Sequence, residues 1–300
     1  MRLVKIMLVV LVAVWSAVWA LPDGLVHVVF CDVGQGDAIL IYRGTTQMLV
    51  DGGLPNGRVI GCLTEHMPFY DRTVEVVMAT HPENDHIGGL VAVAKRYTVG
   101  RFVGVPVGKD TDIYKELAAQ LVEKQVPVVN LYTEDVVKLG GMEFDSVWPT
   151  RQFVADHETG SRLAGVAGGK TGEVLGMATE AGMNLNDFSI GGIVKYGDFE
   201  VMLTGDADQR ILPNQLATGR LRDVEVLKVP HHGSKYGMTA EWLSAIKPEL
   251  AVISVGRNSY GHPTQEALEA LKAVGAKVMR TDSDGEVEVV SDGTKWWVKK

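Results

Sequence analysis

Short apolar runs bounded by Gly, Pro, Asp or Asn recur along nearly the whole chain. In the first half they are Leu25 to Cys31, Ala38 to Tyr42, Gln47 to Val50, Val74 to Ala79, Phe102 to Val105 and Val126 to Val129. Met142 to Trp148, Ile190 to Tyr196, Glu200 to Thr204, Val224 to Val229, Leu250 to Val255 and Ala276 to Met279 follow. Their lengths and boundaries predict buried strands. Glu286 to Val290 and Lys295 to Val298 flank Asp292-Gly293, a hairpin signal. A helical period appears only in places, most clearly in Asp112 to Lys124, Ala240 to Ile246 and Thr264 to Val274, where Thr264 can cap and Gly275 can stop the helix. Strands dominate both halves and helices are interspersed. That predicts an α/β fold of two sheets packed face to face with helices outside, not one doubly wound sheet.

No repeat and no linker divides residues 21–300, which are expected to form one domain. One stretch breaks the pattern. His157 to Met183, within an insertion at about 151–185, is rich in Gly, Ala and Thr and poor in large apolar side chains. It is expected to be a mobile loop or lid near the site, or an insertion with no role.

The N-terminus has a separate logic. Met1 to Lys5 carries two positive charges, Ile6 to Ala20 is apolar apart from Ser16, and Val18-Trp19-Ala20 ends in a small residue. That layout predicts a secretory signal at 1–20, shorter than the ~20 apolar residues of a spanning helix. No later stretch is long and apolar enough to span a membrane, so an extracytoplasmic protein without an integral membrane domain is expected. Export would permit a Cys31–Cys62 disulfide, although Cys31 lies in an apolar strand and two buried free thiols fit equally well. With 46% hydrophobic residues the chain can bury a large core. A formal charge of −8 argues against a broad basic surface for gripping nucleic acid, while leaving phosphate binding through metal ions open.

The chemistry concentrates at strand ends. His81-Pro82-Glu83-Asn84-Asp85-His86 directly follows the run ending at Ala79 and precedes Gly88-Gly89. Two imidazoles and two carboxylates so close together repel and desolvate poorly unless a cation sits among them. A solvated acidic turn is the plainer reading, but the spacing favours metal. Asp206 follows Leu203, His231 and His232 follow Val229, and His262 comes after the strand ending at Val255. Each such histidine alone is more often structural; the shared position at strand C-termini carries the inference. Asp32 to Asp37 forms a Gly-rich turn that lacks the Lys-Ser/Thr of a P-loop and is expected to aim Asp32, Gln35 or Asp37 at the site. Asp51, also at a strand end, can orient a ligating histidine or simply make the turn.

Together these motifs resemble the metallo-β-lactamase superfamily, and within it the soluble domain of ComEC-type competence proteins. The resemblance rests on Asp32 to Asp37, Val50 to Gly53, His81 to Gly89, Leu203 to Asp206, His231 to Ser234 and Ser254 to Pro263, in that order. It implies a four-layer αββα sandwich and two metal sites. The first would use His81 and Glu83, and the second Asp85, His86 and His231, with Asp206 bridging. His262, with His232 as the lesser choice, would contact substrate phosphate or shuttle a proton, and Asp85 belongs to the same catalytic set. Glu83 stands where the superfamily usually has His, and Asn186 to Ser189 replace another expected His, as in the competence branch. Asn186 and Ser189, with Asp37 and Asp51, would then support ligands or touch substrate. Such oxygen-rich ligation favours harder ions such as Mn²⁺ or Mg²⁺ over Zn²⁺ and weakens the first site; two divalent ions, Mn²⁺ or Zn²⁺ with Mg²⁺ also admitted, are expected.

The leading expectation is therefore a secreted, metal-dependent phosphodiesterase, a nuclease acting on DNA through water that a divalent ion acidifies from ~16 toward ~7. Hydrolysis of a small or cell-surface ester of the choline- or polyol-phosphate kind is the alternative. A non-catalytic metal-binding module comes third. A lactamase fits less well, because Glu83 and the missing histidine depart from that pattern.

Overall fold

The computed structural model describes Met7 and residues 23–162, 176–179 and 182–299. The export segment expected at 1–20 lies outside the described residues apart from Met7, as does the middle of the Gly-rich stretch. Eight strands build the first sheet, in the order β17-β16-β1-β2-β3-β4-β5-β6. Here β1 is Val26–Phe30, β2 Ile39–Arg43, β3 Thr46–Val50, β4 Thr73–Met78, β5 Thr98–Gly104, β6 Val128–Asn130, β16 Val287–Ser291 and β17 Trp296–Lys299. The second sheet runs β15-β14-β13-β12-β11-β8-β7. Its strands are β7 Val136–Leu139, β8 Met142–Trp148, β11 Gly191–Tyr196, β12 Phe199–Leu203, β13 Val226–Lys228, β14 Leu250–Ile253 and β15 Lys277–Arg280.

Side-chain alternation explains why both sheets need two covers. In β1 to β3, Val29, Leu40 and Leu49 face helices α1 (Arg58–His66), α2 (Asn84–Arg96) and α3 (Asp112–Glu123). Their neighbours Val28, Phe30, Ile39, Ile41, Met48 and Val50 point the other way, onto Val201, Leu203, Val226 and Val252 of the second sheet. The second sheet's opposite face, with Met202, Leu227 and Ala251, packs on helices α6 (Ala240–Ile246) and α7 (Gln265–Ala273). Period-two alternation with both faces apolar is what makes the strands read as unbroken apolar runs. The result is the αββα sandwich.

Thr111, Thr239 and Thr264 cap α3, α6 and α7 by accepting a backbone N–H three residues on. The described parts of the insertion differ from the expected loop. Arg151–His157 is a helix (α4) capped by Thr150, and Glu158–Arg162 (β9) pairs antiparallel with Met177–Thr179 (β10). Phe153 supplies the missing apolar anchor, its ring 4.7 Å from Trp148 and 5.2 Å from Phe188. His157 donates Nδ1–H to the Phe153 carbonyl at 2.7 Å and is structural. Two short helices, α5 (Leu212–Ala217) and α8 (Thr281–Asp284), complete the described elements. None of the helices among the described residues is long and apolar enough to cross a membrane.

Cys31, just past β1, and Cys62, on α1, are joined in a disulfide across 31 residues of sequence. Closing a loop of that length is worth about 3 to 4 kcal/mol in the chain-entropy model. Denaturant unfolding with and without a dithiol reductant is expected to show a loss of that size, reproduced by a Cys31→Ala/Cys62→Ala double variant. Identical midpoints in both conditions would show that the bond adds nothing.

Candidate metal centre

Strand direction gathers the polar side chains at one edge. β3 and β4 are parallel, as are β12, β13 and β14, so each set ends on a common side. β1 is antiparallel to β2 and β2 to β3, which brings the turn after β1 to the same edge. Asp51 follows β3, His81 follows β4, Asp206 follows β12, and His231 and His232 follow β13. Asp85 and His86 occupy the first turn of α2. The two glycines behind them allow this. A Cβ on Gly89 would lie 1.9 Å from the Gly52 carbonyl oxygen, and one on Gly88 would lie 2.6 Å from Pro55. Only bare backbone lets α2 press against the turn after β3, where Asp51 meets His86.

Each buried imidazole has one nitrogen fixed by the protein. His86 Nδ1–H donates to Asp51 Oδ2 at 2.8 Å, and His232 Nδ1–H donates to the Ser254 carbonyl at 2.8 Å. Thr80 Oγ1–H is committed to Asp51 Oδ2 at 2.7 Å, so the 3.0 Å contact with His81 has the ring Nδ1–H donating. Those bonds occupy Nδ1 and leave Nε2 of all three rings facing the donor groups, the arrangement metal-ligating histidines use. All three Nε2 atoms, and Asp206 Oδ1, are buried without a hydrogen-bond partner. His81, His86 and Asp206 form one group of mutually close donors, and Asp85, His86 and His232 form another. Asp206 spans them: Oδ1 is 3.2 Å from His86 Nε2 and Oδ2 is 3.4 Å from His232 Nε2. Its backbone N–H donates to Ser189 Oγ at 3.1 Å, which sets the turn. Orphaned donors of nitrogen and carboxylate type, all converging, fit divalent metal.

The arrangement differs from the expected ligand set at two places. Glu83 turns its carboxylate to Lys109 and joins neither group. His232 is fully inside, 3.5 Å from Asp85 Oδ2, whereas His231 is partly exposed and 3.9 Å from Asp206. Both histidines have left-handed backbone, with φ of 49° and 54°, and so does Asp51 at 60°. Such strain in non-Gly residues is typical of functional sites. His262 lines a cleft of about 360 Å³ together with Gln35, Asp85, Asn186, Asp206 and His232, and its Nδ1 has no partner. Asp32 instead pairs with Arg58 on the surface, and Gln35 Oε1 accepts from Gly256 N at 3.3 Å.

Sequence reasoning passed over Lys228. Its fully buried ammonium pairs with the fully buried Asp37 carboxylate and donates to the Gly205 carbonyl at 2.9 Å. A lysine inside an apolar run covered on both faces was the available signal, because a charge there must be paired.

The charges in this metal-free arrangement follow from packing. Burial opposes a proton on His232, but Asp206 and its contact with Asp85 outweigh that and lift it to about 10. His86 is raised well above its usual range by Asp206 and Asp51 against the same burial. His81 is pushed down to about 3 by burial and by His86. His86 and His232 therefore favour holding a proton, and a cation bound among these donors would compete with it. Calorimetric titration with Mn²⁺ or Zn²⁺ at pH 7, in buffers of different ionisation enthalpy, is expected to register release of about two protons per chain. No release would mean the rings are neutral beforehand. In the metal-free protein, His81 refuses a proton that the unfolded chain accepts near 6.5. Its contribution to stability is therefore expected to fall as pH drops from there toward 3, while that of His232 is lost as pH rises through 10.

Known proteins share this fold, and some share about a quarter of the sequence. The family model described as "Metallo-beta-lactamase superfamily" matches residues 31–257. ComE operon protein 3 of Bacillus subtilis (strain 168) is 26% identical over 276 residues, covering 86% of this chain and 32% of its own length. Competence protein ComA of Neisseria gonorrhoeae is 27% identical over 273 residues, covering 90% and 33%. The chain thus spans about a third of the length of these relatives. Among solved structures, the metallo-beta-lactamase fold protein YhfI from Bacillus subtilis superposes with a TM-score of 0.51 at 13% identity, covering 88% of this chain and 99% of that one. CmlA, a diiron beta-hydroxylase from Streptomyces venezuelae, gives 0.51 at 16% identity, covering 90% and 54%. These likenesses concern the fold.

Proposed function

The chain belongs to the metallo-beta-lactamase superfamily, and from that premise we propose that it is a metal-dependent phosphodiesterase, a nuclease whose substrate is DNA. The observation that carries the proposal is Asp206, standing between two groups of imidazole and carboxylate donors at the floor of an open cleft. The cleft suits a nucleotide-sized ligand. The names of the relatives add support, since one is called a competence protein and a further one, from Haemophilus influenzae, is called Recombination protein 2. His81, His86, His232, Asp85 and Asp206 would hold divalent ions, Mn²⁺ or Zn²⁺, with Mg²⁺ as a third choice. Bound there, the ions would acidify a water and offset the charge of a phosphodiester.

The chain's own residues divide the remaining work. Asp51, Thr80 and the Ser254 carbonyl hold the three rings in the ligating tautomer. Lys228 neutralises Asp37 beneath them. His262, kept below the usual imidazole range by burial and by His231, is neutral at pH 7. It can donate one N–H to a phosphoryl oxygen or pass a proton to the leaving group. His231, also lowered by burial, stands beside it with ring centroids 5.7 Å apart. This assignment puts His232 rather than His231 among the ligands.

We place this activity outside the cytoplasm. The charged, apolar and small-residue order of the first 20 residues supports export, and so does the Cys31–Cys62 disulfide, a bond that persists in oxidising compartments.

The test is turnover of single- and double-stranded DNA and of a chromogenic small phosphodiester with Mn²⁺, Zn²⁺ and Mg²⁺. Asp206→Ala and His232→Ala are each expected to cut DNA cleavage by about a hundredfold or more, and Asp51→Ala by about ten- to a hundredfold through weaker metal binding. His231→Ala is expected to cost less than His232→Ala; the reverse order would undo the ligand assignment. Cleavage of the small ester alone, which a net charge of −8 also suits, would replace DNA as the substrate.

A further inference from the structure

Tyr260 is 73% exposed, and among the exposed large apolar side chains of the described residues it is the one that lines the metal cleft. Its position is rigid. It stands on the loop from Gly256 to Pro263, which folds around the side chain of Asn258. Asn258 Oδ1 accepts the backbone N–H of Tyr260 at 3.0 Å and of His262 at 3.1 Å. Asn258 Nδ2 donates to the carbonyls of Gly256 at 2.9 Å and His262 at 2.8 Å. At its far end the loop is tied down where Thr264 N–H donates to the Gly233 carbonyl at 2.9 Å, next to the strained His231-His232 turn. An aromatic ring this exposed gains little for folding, and a loop this tightly bonded does not let it collapse onto the surface.

The ring also has a direction. Tyr260 lies 5.7 Å from His262, tilted by 31°, and His262 lies 5.7 Å from His231. His231, His232 and His86 continue the row at 6.3 and 5.4 Å. Rings therefore lead from the solvent-exposed lip to the buried donors, His231 meeting both His262 and His232 edge-on. His262, with its partnerless Nδ1, lines the same cleft as Tyr260 and Asp206. A ligand with a phosphate at the donor groups and a planar group extending to the lip of the same cleft would put that group on Tyr260.

From this we infer that Tyr260 is a stacking platform for the nucleobase next to the scissile phosphate, selecting unpaired, base-bearing strands without reading their sequence. The inference rests on the phosphodiester reading and deepens it by naming the specificity element. Every base offers a π face, so stacking is tolerant of sequence, and a base held in a duplex cannot present that face. A single platform of this kind also works without a basic surface, which suits an acidic protein.

Affinity separates this inference from the hydrolase reading. The metal-loaded protein would be titrated with a nuclease-resistant, phosphorothioate-linked single strand carrying 2-aminopurine, and with the matched abasic strand, by fluorescence and competition. The base-bearing strand is expected to bind about five- to 150-fold more tightly, the range that stacking of one base supplies. Tyr260→Ala should erase that ratio, and Tyr260→Phe and Tyr260→Trp should keep it. Equal affinity of the wild-type protein for both strands, binding of neither, or a ratio that survives Tyr260→Ala would overturn the inference. So would a Tyr260→Phe variant that behaves like Tyr260→Ala, since that would assign the effect to the hydroxyl. Base-dependent binding that Tyr260→Ala erases, without cleavage of ordinary DNA by any metal form, would keep Tyr260 as a platform for a bound strand and sink the hydrolase reading.

Discussion

Asp37 and Lys228 meet in the dry seam between the two sheets, and the geometry of the site depends on that meeting. Asp37 comes from the turn after the first strand of one sheet and Lys228 from the end of a parallel strand of the other. Both are wholly removed from water. Taking two charges out of water is costly, and a pair of apolar residues of similar volume would often serve stability as well. Losing one partner costs about 3 to 5 kcal/mol, because the other charge is then stranded. What the pair supplies is position. It ties the two sheets together where Asp206 and His232 come up against Asp85 and His86.

The layers of support around that seam differ in kind. On the first sheet the positioning is covalent and steric, through the disulfide from β1 to α1 and the bare glycine backbone of α2. On the second it is conformational, through two successive left-handed histidines and a loop threaded around Asn258. These supports hold the candidate donor side chains at the floor of an open cleft.

The sandwich was legible because its strands are buried on both faces and so stand out as apolar runs between turn residues. Helices were harder to see. Asp112–Glu123 and Ala240–Ile246 show a clean amphipathic period, while Asn84–Arg96 carries Gly88-Gly89 in its interior and opens with ligands. There the close approach to Gly52 and Pro55 outweighs local propensity, and no pattern along the chain reveals a contact between backbones. At the site, residue types pointed to the right turns, and all the named clusters converge. Which histidine of the His231-His232 pair enters depends on two backbone angles, and where Glu83 points depends on Lys109, 26 residues on. Neither is a property of a local motif.

Both donor groups draw on distant parts of the chain. His81, Asp85 and His86 precede Asp206 and His232 by more than a hundred positions, and the two sets belong to different sheets. Neither of these two groups is complete within one half of the chain, nor on one sheet before the other has docked. Contacts of such long range close late in folding. Neither donor group exists in the unfolded chain, and both come together only when the two sheets have docked.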